Sequence, residues 1–203
     1  NNIFIKDLVS GKEDQITSDG AKNNIINGAT DWVYEEEFDI TKGYEWSNDG
    51  TKIAFLRFDE SNVKEFSMTM YDTLYPSQYK YKYPKPGESV SSIFVVVYDI
   101  INKTLVIIHA GYEQNQYIPR IKWMNNSNNL IVYRINRSQN ILDIIMGDSK
   151  SGKSLLLYTE QNKYYINVPT AFELINDDKD FIINSEMSGY NHLYLYNIAN
   201  RMI

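Results

Sequence analysis

Carboxylates supply most of the reactive chemistry in this chain, and they are densest at Asp31-Trp32-Val33-Tyr34-Glu35-Glu36-Glu37-Phe38. Three consecutive glutamates between aromatics fit one or two helical turns, on which neighbouring side chains point about 100° apart. Only two of the three can then aim at one ligand. Adjacent carboxylates repel each other, and a cation such as an ammonium group relieves that repulsion. A solvated acidic turn is the other reading of the same residues. The remaining means are sparse. Cysteine is absent, which removes a thiolate nucleophile, a disulfide framework and a Cys-based zinc site. His109 and His192 are the imidazoles. Neither has a Ser/Asp partner pattern and no G-x-S-x-G elbow occurs, so both are read as structural.

Two further patterns invite chemistry and lose it on inspection. Gly147-Asp148-Ser149-Lys150-Ser151-Gly152-Lys153-Ser154 matches the phosphate-binding pattern G-x-x-x-x-G-K-S. That loop must open a helix whose N-terminal amides hold the phosphates. Here Leu155-Leu156-Leu157-Tyr158 follows, a short apolar run, and the segment reads as a hairpin turn. Asn176-Asp177-Asp178-Lys179-Asp180 lacks the glycine and distal Glu of a calcium loop and also reads as a turn. No metal or cofactor is expected.

The elements that must position these residues are strands. Tyr, Ile and Val dominate the apolar set, and Asn and Gly punctuate short runs. Expected strands are Ile3–Lys6, Lys52–Arg57, Ser92–Tyr98, Leu105–His109, Leu130–Ile135, Ile141–Met146, Leu155–Tyr158, Phe181–Asn184 and His192–Tyr196. Nothing comparable carries a 3.6-residue stripe, so the class is all-β with short helices at most. The net charge of −6 argues against a phosphate-backbone binder, so no nucleic acid is expected. No apolar run approaches the roughly 20 residues of a membrane span. The chain begins at Asn1 without Met or a signal segment and is read as a piece of something longer.

The chain also repeats itself. Tyr44-Glu45-Trp46-Ser47-Asn48-Asp49-Gly50 leads into Ile53-Ala54-Phe55 as Ile121-Lys122-Trp123 and its Asn-rich turn lead into Leu130–Tyr133; Phe172–Ile183 is a weaker third copy. Each is an apolar anchor, a polar turn and a strand. Asp99, Asp148 and Asn197 recur at intervals of 49 residues in the turns that follow, and Asp7–Lys12 is the same hairpin from an earlier copy. A four-stranded unit repeating every 40–50 residues or so is the signature of a β-propeller blade. The expected architecture is a partial propeller of about three to four blades, two whole with one partial blade on each side. The first whole blade carries an insertion of roughly thirty residues, Asp59 to Ser91, and insertions that long usually map to function.

These residues resemble the dipeptidyl peptidase IV family, serine peptidases of the prolyl oligopeptidase clan. The resemblance starts at Asp31–Phe38 and runs in order through Trp46–Gly50, Ile53–Glu60, Phe66–Met68 and Tyr81–Glu88. It resumes at Ile118–Trp123, Arg134–Asn140 and Ser185–Tyr194, so it covers nearly the whole chain. Pro86 departs from the alanine the family has there. The resemblance implies an eight-bladed propeller packed on an α/β-hydrolase domain, with residues 1–203 a fragment of the N-terminal propeller and the hydrolase absent. It implies that Glu36 and Glu37 hold the free N-terminal ammonium of a peptide from which dipeptides are released, with Pro or Ala second. The family's propeller arginine comes from an upstream segment, so no residue here is assigned to it. His192, in a family motif, is expected in blade packing. The 59–91 arm, rich in Tyr and Met, is expected to help form a homodimer, a plain surface hairpin being the alternative. A bacterial protein of the periplasm, cell envelope or exterior follows from the same likeness. The rival reading is a propeller serving only as a binding scaffold, with no hydrolase partner.

Overall fold

The computed structural model describes residues 1–111 and 115–200. In chain order, strands β1 (Phe4–Lys6), β2 (Glu13–Gln15) and β3 (Ile25–Asn27) precede a short helix, α1 (Trp32–Phe38). Then come β4 (Tyr44–Trp46), β5 (Lys52–Asp59), β6 (Glu65–Met70), β7 (Ser77–Lys82), β8 (Ser92–Asp99) and β9 (Thr104–Ile108). The remainder is β10 (Gln116–Trp123), β11 (Asn129–Asn136), β12 (Ile141–Asp148), β13 (Ser154–Gln161), β14 (Phe172–Ile175), β15 (Asp180–Ser185) and β16 (His192–Asn197). All nine expected strands are present, with ends shifted by a few residues at most. The class is all-β, with its helix at the Glu motif. Among the described residues no helix is long and apolar enough to cross a membrane. The chain divides into two compact units, Asn1–Gly43 with Leu56–Ile93, and Tyr44–Phe55 with the chain from Phe94 on.

In the second unit, β4, the first half of β5, β8 and β9 lie side by side, and β10 to β13 form a four-stranded antiparallel sheet in chain order. These are the two whole blades. The three-stranded sheet β14–β15–β16 is the partial blade that follows. The anchors Tyr44–Trp46, Ile121–Trp123 and Phe172–Ile175 are themselves edge-strand residues, in β4, β10 and β14. Leu130, Ile131 and Val132 of β11 are fully buried in succession, so this inner strand is covered on both faces. Burying each such side chain contributes about 1.5–3 kcal/mol. Rings continue the packing from β11 into the next sheet: Tyr133 meets Phe172 edge-on, and Phe181 stacks on both Phe172 and Tyr196. His192 is exposed at the start of edge strand β16. The expectation that it packs a blade is corrected: burial along this strand builds only toward Tyr196.

The repeated Asp turns share one construction. At Asp148 the Oδ1 accepts from the N–H groups of Lys150 and Ser151 and from Ser151 Oγ, while its own N–H donates to the Lys153 carbonyl. At Asp7 the same bonds come from Val9, Ser10 and the Ser10 hydroxyl, closing on Lys12. The hydroxyl and N–H of Ser151 hold the Asp148 carboxyl below the ordinary range. Gly152 has φ +74°, and a Cβ there would lie 2.3 Å from the Ile107 carbonyl oxygen. The residues matching a phosphate loop therefore form a hairpin between antiparallel β12 and β13, with no helix after them. Asn176–Asp180 is likewise the β14–β15 turn; the Asp178 carboxylate accepts from Asn125 and Asn126. Among the described residues no group of three His, Asp or Glu could hold a metal ion.

In the first unit, β1 and β2 form a hairpin, β3 pairs with the second half of β5, and β6 and β7 form a separate antiparallel hairpin inside the 59–91 insertion. Tyr34, Phe38, Leu56 and Phe58 are the buried centre of this unit.

Candidate functional site

Helix α1 sits in an excursion of the chain, residues 28–43, that leaves β5 after β3 and returns to it. The exit and return are locked together. The Gly28 N–H donates to the Leu56 carbonyl, the Gly43 N–H to that of Gly28, and the Leu56 N–H to that of Gly43. A Cβ on Gly43 would lie 2.8 Å from the Ala29 carbonyl oxygen, so the two ends approach this closely only without a side chain. Thr30 Oγ1 closes the base of the excursion on the Ile40 carbonyl at 2.7 Å.

The helix packs through Val33, Tyr34 and Phe38, which are buried. The Tyr34 ring meets Phe38 at 5.2 Å and the edge of Phe58 at 4.8 Å. Asp31 is the N-cap, its side chain accepting from the Tyr34 N–H at 3.1 Å. Asp39, in the left-handed region at φ 54°, ends the helix. With one face fixed in this way, Glu35, Glu36 and Glu37 are all exposed.

Their electrostatic positions differ. Glu35 lies in the first turn, where unsatisfied N–H groups favour a negative charge. Glu36 and Glu37 fall toward the C-terminal end, where the helix's own carbonyls disfavour it, and the last turn has no basic residue. Among the described residues none donates a hydrogen bond to Glu36 or Glu37 or forms an ion pair with them. Two adjacent carboxylates are thus held on a fixed helix with no hydrogen-bond or ion-pair partner among the described residues. A small cation with several N–H donors fits that need.

Below the helix lie two carboxyl groups whose roles the sequence did not disclose. Asp31 is buried, and its Oδ2 accepts from Ser91 Oγ at 2.6 Å. Burial raises its pKa, opposed by the Ser91 hydroxyl and the N–H groups of Tyr34 and Val33. Glu60, also buried, is raised by burial and then by the negative charge of Asp31, against the Lys82 ammonium. An Asp directly before an apolar helix start is the usual N-cap signal. Nothing local marks Glu60 or Ser91.

Because folding raises the Glu60 pKa, the protonated form is the one the fold favours. Its stabilising contribution is complete below the ordinary carboxylate range and is lost as pH rises through the raised value. Glu60→Gln in the intact protein is therefore expected to stabilise at pH 7 and to change little near pH 4. Thermal unfolding at the two pH values checks this; equal effects at both would show that Glu60 does not titrate against the fold.

A family model described as the dipeptidyl peptidase IV (DPP IV) N-terminal region matches residues 1–203. The chain is similar in structure to Porphyromonas gingivalis dipeptidyl peptidase 4, with a TM-score of 0.93 and 39% identity over 100% of this chain and 29% of that one. Dipeptidyl aminopeptidase A of Saccharomyces cerevisiae is 28% identical over 97% of this chain and 22% of its own length. The inactive dipeptidyl peptidase 10 of Mus musculus is 30% identical over 75% of this chain and 20% of its own length. The chain thus spans about a fifth of the length of these curated relatives.

Proposed function

This chain belongs to the dipeptidyl peptidase IV family, whose N-terminal region it matches throughout, and from that premise we propose that it is the substrate-recognition part of a dipeptidyl aminopeptidase IV-like serine peptidase. Glu36 and Glu37 accept hydrogen bonds from the N-terminal ammonium of a peptide. Held at a set distance from the nucleophile, that ammonium brings the second peptide bond into register for attack, and an N-terminal dipeptide with Pro or Ala second leaves. The nucleophile, its base and its acid belong to a C-terminal α/β-hydrolase domain. Residues 1–203 contain no G-x-S-x-G elbow, so the chain by itself is expected to be inactive. The 59–91 arm serves a homodimer, and the site of action is the periplasm, cell envelope or exterior.

The observation that carries this reading is the adjacent, exposed Glu36–Glu37 pair on a helix fixed at both ends. The alternative, a propeller that binds peptides or proteins without catalysis, draws support from the similarity to an inactive dipeptidyl peptidase. The coding sequence downstream separates the two: a G-x-S-x-G elbow followed by Asp and His favours the peptidase. On the intact protein, a tripeptide with a free amine is expected to be cleaved far faster than its N-acetylated form. Equal kcat/KM for the two would rule out recognition of the ammonium.

A further inference from the structure

Asp31 joins three segments distant in sequence. Its carboxylate caps α1 through the Tyr34 N–H and accepts from Ser91 Oγ, 60 residues away. Ser91 is the last residue of the insertion, directly before β8. Beside Asp31, the Trp32 ring lies 4.3 Å from that of Tyr83, and Tyr83 in turn meets Phe66 of β6 at 5.6 Å and Tyr81 of β7 at 6.1 Å. At the other root of the insertion, Lys82 Nζ donates to the carbonyls of Ser61 and Val63, and Glu60 faces the charge of Asp31. Both roots of the arm therefore converge on the first residues of α1. A seven-residue helix is about 10 Å long and stiff over that length, so a shift at its cap is carried to Glu36 and Glu37.

We infer that Asp31 is a positioning residue which, with Ser91 and the Trp32–Tyr83 contact, ties α1 to the root of the 59–91 arm and so sets where Glu36 and Glu37 stand. The inference rests on the ammonium-clamp reading of Glu36 and Glu37.

The test is a double-mutant cycle on the intact peptidase, with kcat/KM measured on a free-amine dipeptidyl chromogenic substrate. Ser91→Ala is expected to lower kcat/KM about tenfold, mainly through KM, and Ser91→Thr, which keeps the hydroxyl, to restore it. In a background lacking both carboxylates, Glu36→Ala with Glu37→Ala, the same Ser91→Ala change is expected to have less than about a twofold effect, because the groups it positions are gone. A merely structural role would give the same loss in both backgrounds, and that result overturns the inference. Tyr83→Leu, which removes the ring against Trp32 and leaves the Asp31 cap in place, carries the same test should Ser91→Ala fail to fold. If Glu37→Ala impairs cleavage while Ser91→Ala and Tyr83→Leu do not, the inference falls and the clamp stands. If Glu36→Ala and Glu37→Ala are both without effect, the two fall together.

Discussion

Replacing Glu36 or Glu37 by alanine in the intact peptidase is expected to lower kcat/KM on a free-amine tripeptide by about 30-fold or more. Both side chains are exposed in this chain, and the figure takes the proposed peptide and hydrolase domain to enclose them. Removing one partner of a buried, hydrogen-bonded charge pair costs roughly 2–5 kcal/mol, much of it from the charge left unpaired. The substrate ammonium offers three donors and meets two carboxylates, so neither carboxylate can take over for the other. Glu35→Ala is expected to cost far less. Glu35 and Glu37 point about 160° apart around the helix, and Glu35 already has a role near the amide end of α1. On an N-acetylated peptide, a poor substrate from the outset, the three substitutions are expected to make little difference. The measurement is a set of kcat/KM values for both peptides with wild type and the three variants. Near-wild-type rates for Glu36→Ala and Glu37→Ala on the free amine would return the acidic turn to the status of a solvated surface.

Deleting the arm is expected to halve the mass of the intact protein in solution. Every residue of β6 is exposed, and β7 is exposed along most of its length. Phe66, Met68, Met70 and Tyr79 stand open on the hairpin, with Tyr71, Leu74 and Tyr75 at its tip at least 80% exposed. A two-stranded hairpin with no buried face is marginal in water without a partner surface. Aromatic and methionine side chains are the types that interface cores favour. Light scattering on the variant lacking residues 65–82 decides the matter. An unchanged oligomer would remove the dimer role while leaving the fold as described.

The strands legible in the sequence are those with apolar runs pressed between neighbours, such as Leu130–Ile135 and Phe181–Asn184. Those that escaped had physical reasons to do so. β2 is Glu-Asp-Gln, three exposed residues paired with β1. β10 contains Pro119, which argues against a strand, yet it lies at a sheet edge, and its register slips between Tyr117 and Arg120 around that proline. β6 and β7 have no buried face, so no alternation could announce them. At the site, the type and spacing of Glu36 and Glu37 were readable because adjacency is local. The burial of Asp31 beside Ser91 and Glu60 was not, because it comes from tertiary convergence of distant segments.

The excursion that holds α1 also bears on solubility. Strand β5 is eight residues long, and along one side it is paired by the two three-residue strands β3 and β4, with Gly28 and Gly43 bonding Leu56 where the helix loops out. A long, flat, unbroken strand at that position would be a template on which another chain could add itself and grow an aggregate. Two short strands interrupted by a charged helix present no such template. The segment that carries Glu36 and Glu37 thus breaks this edge, and lengthening β3 into β4 at its expense is expected to invite edge-to-edge association even if the sheet stays intact.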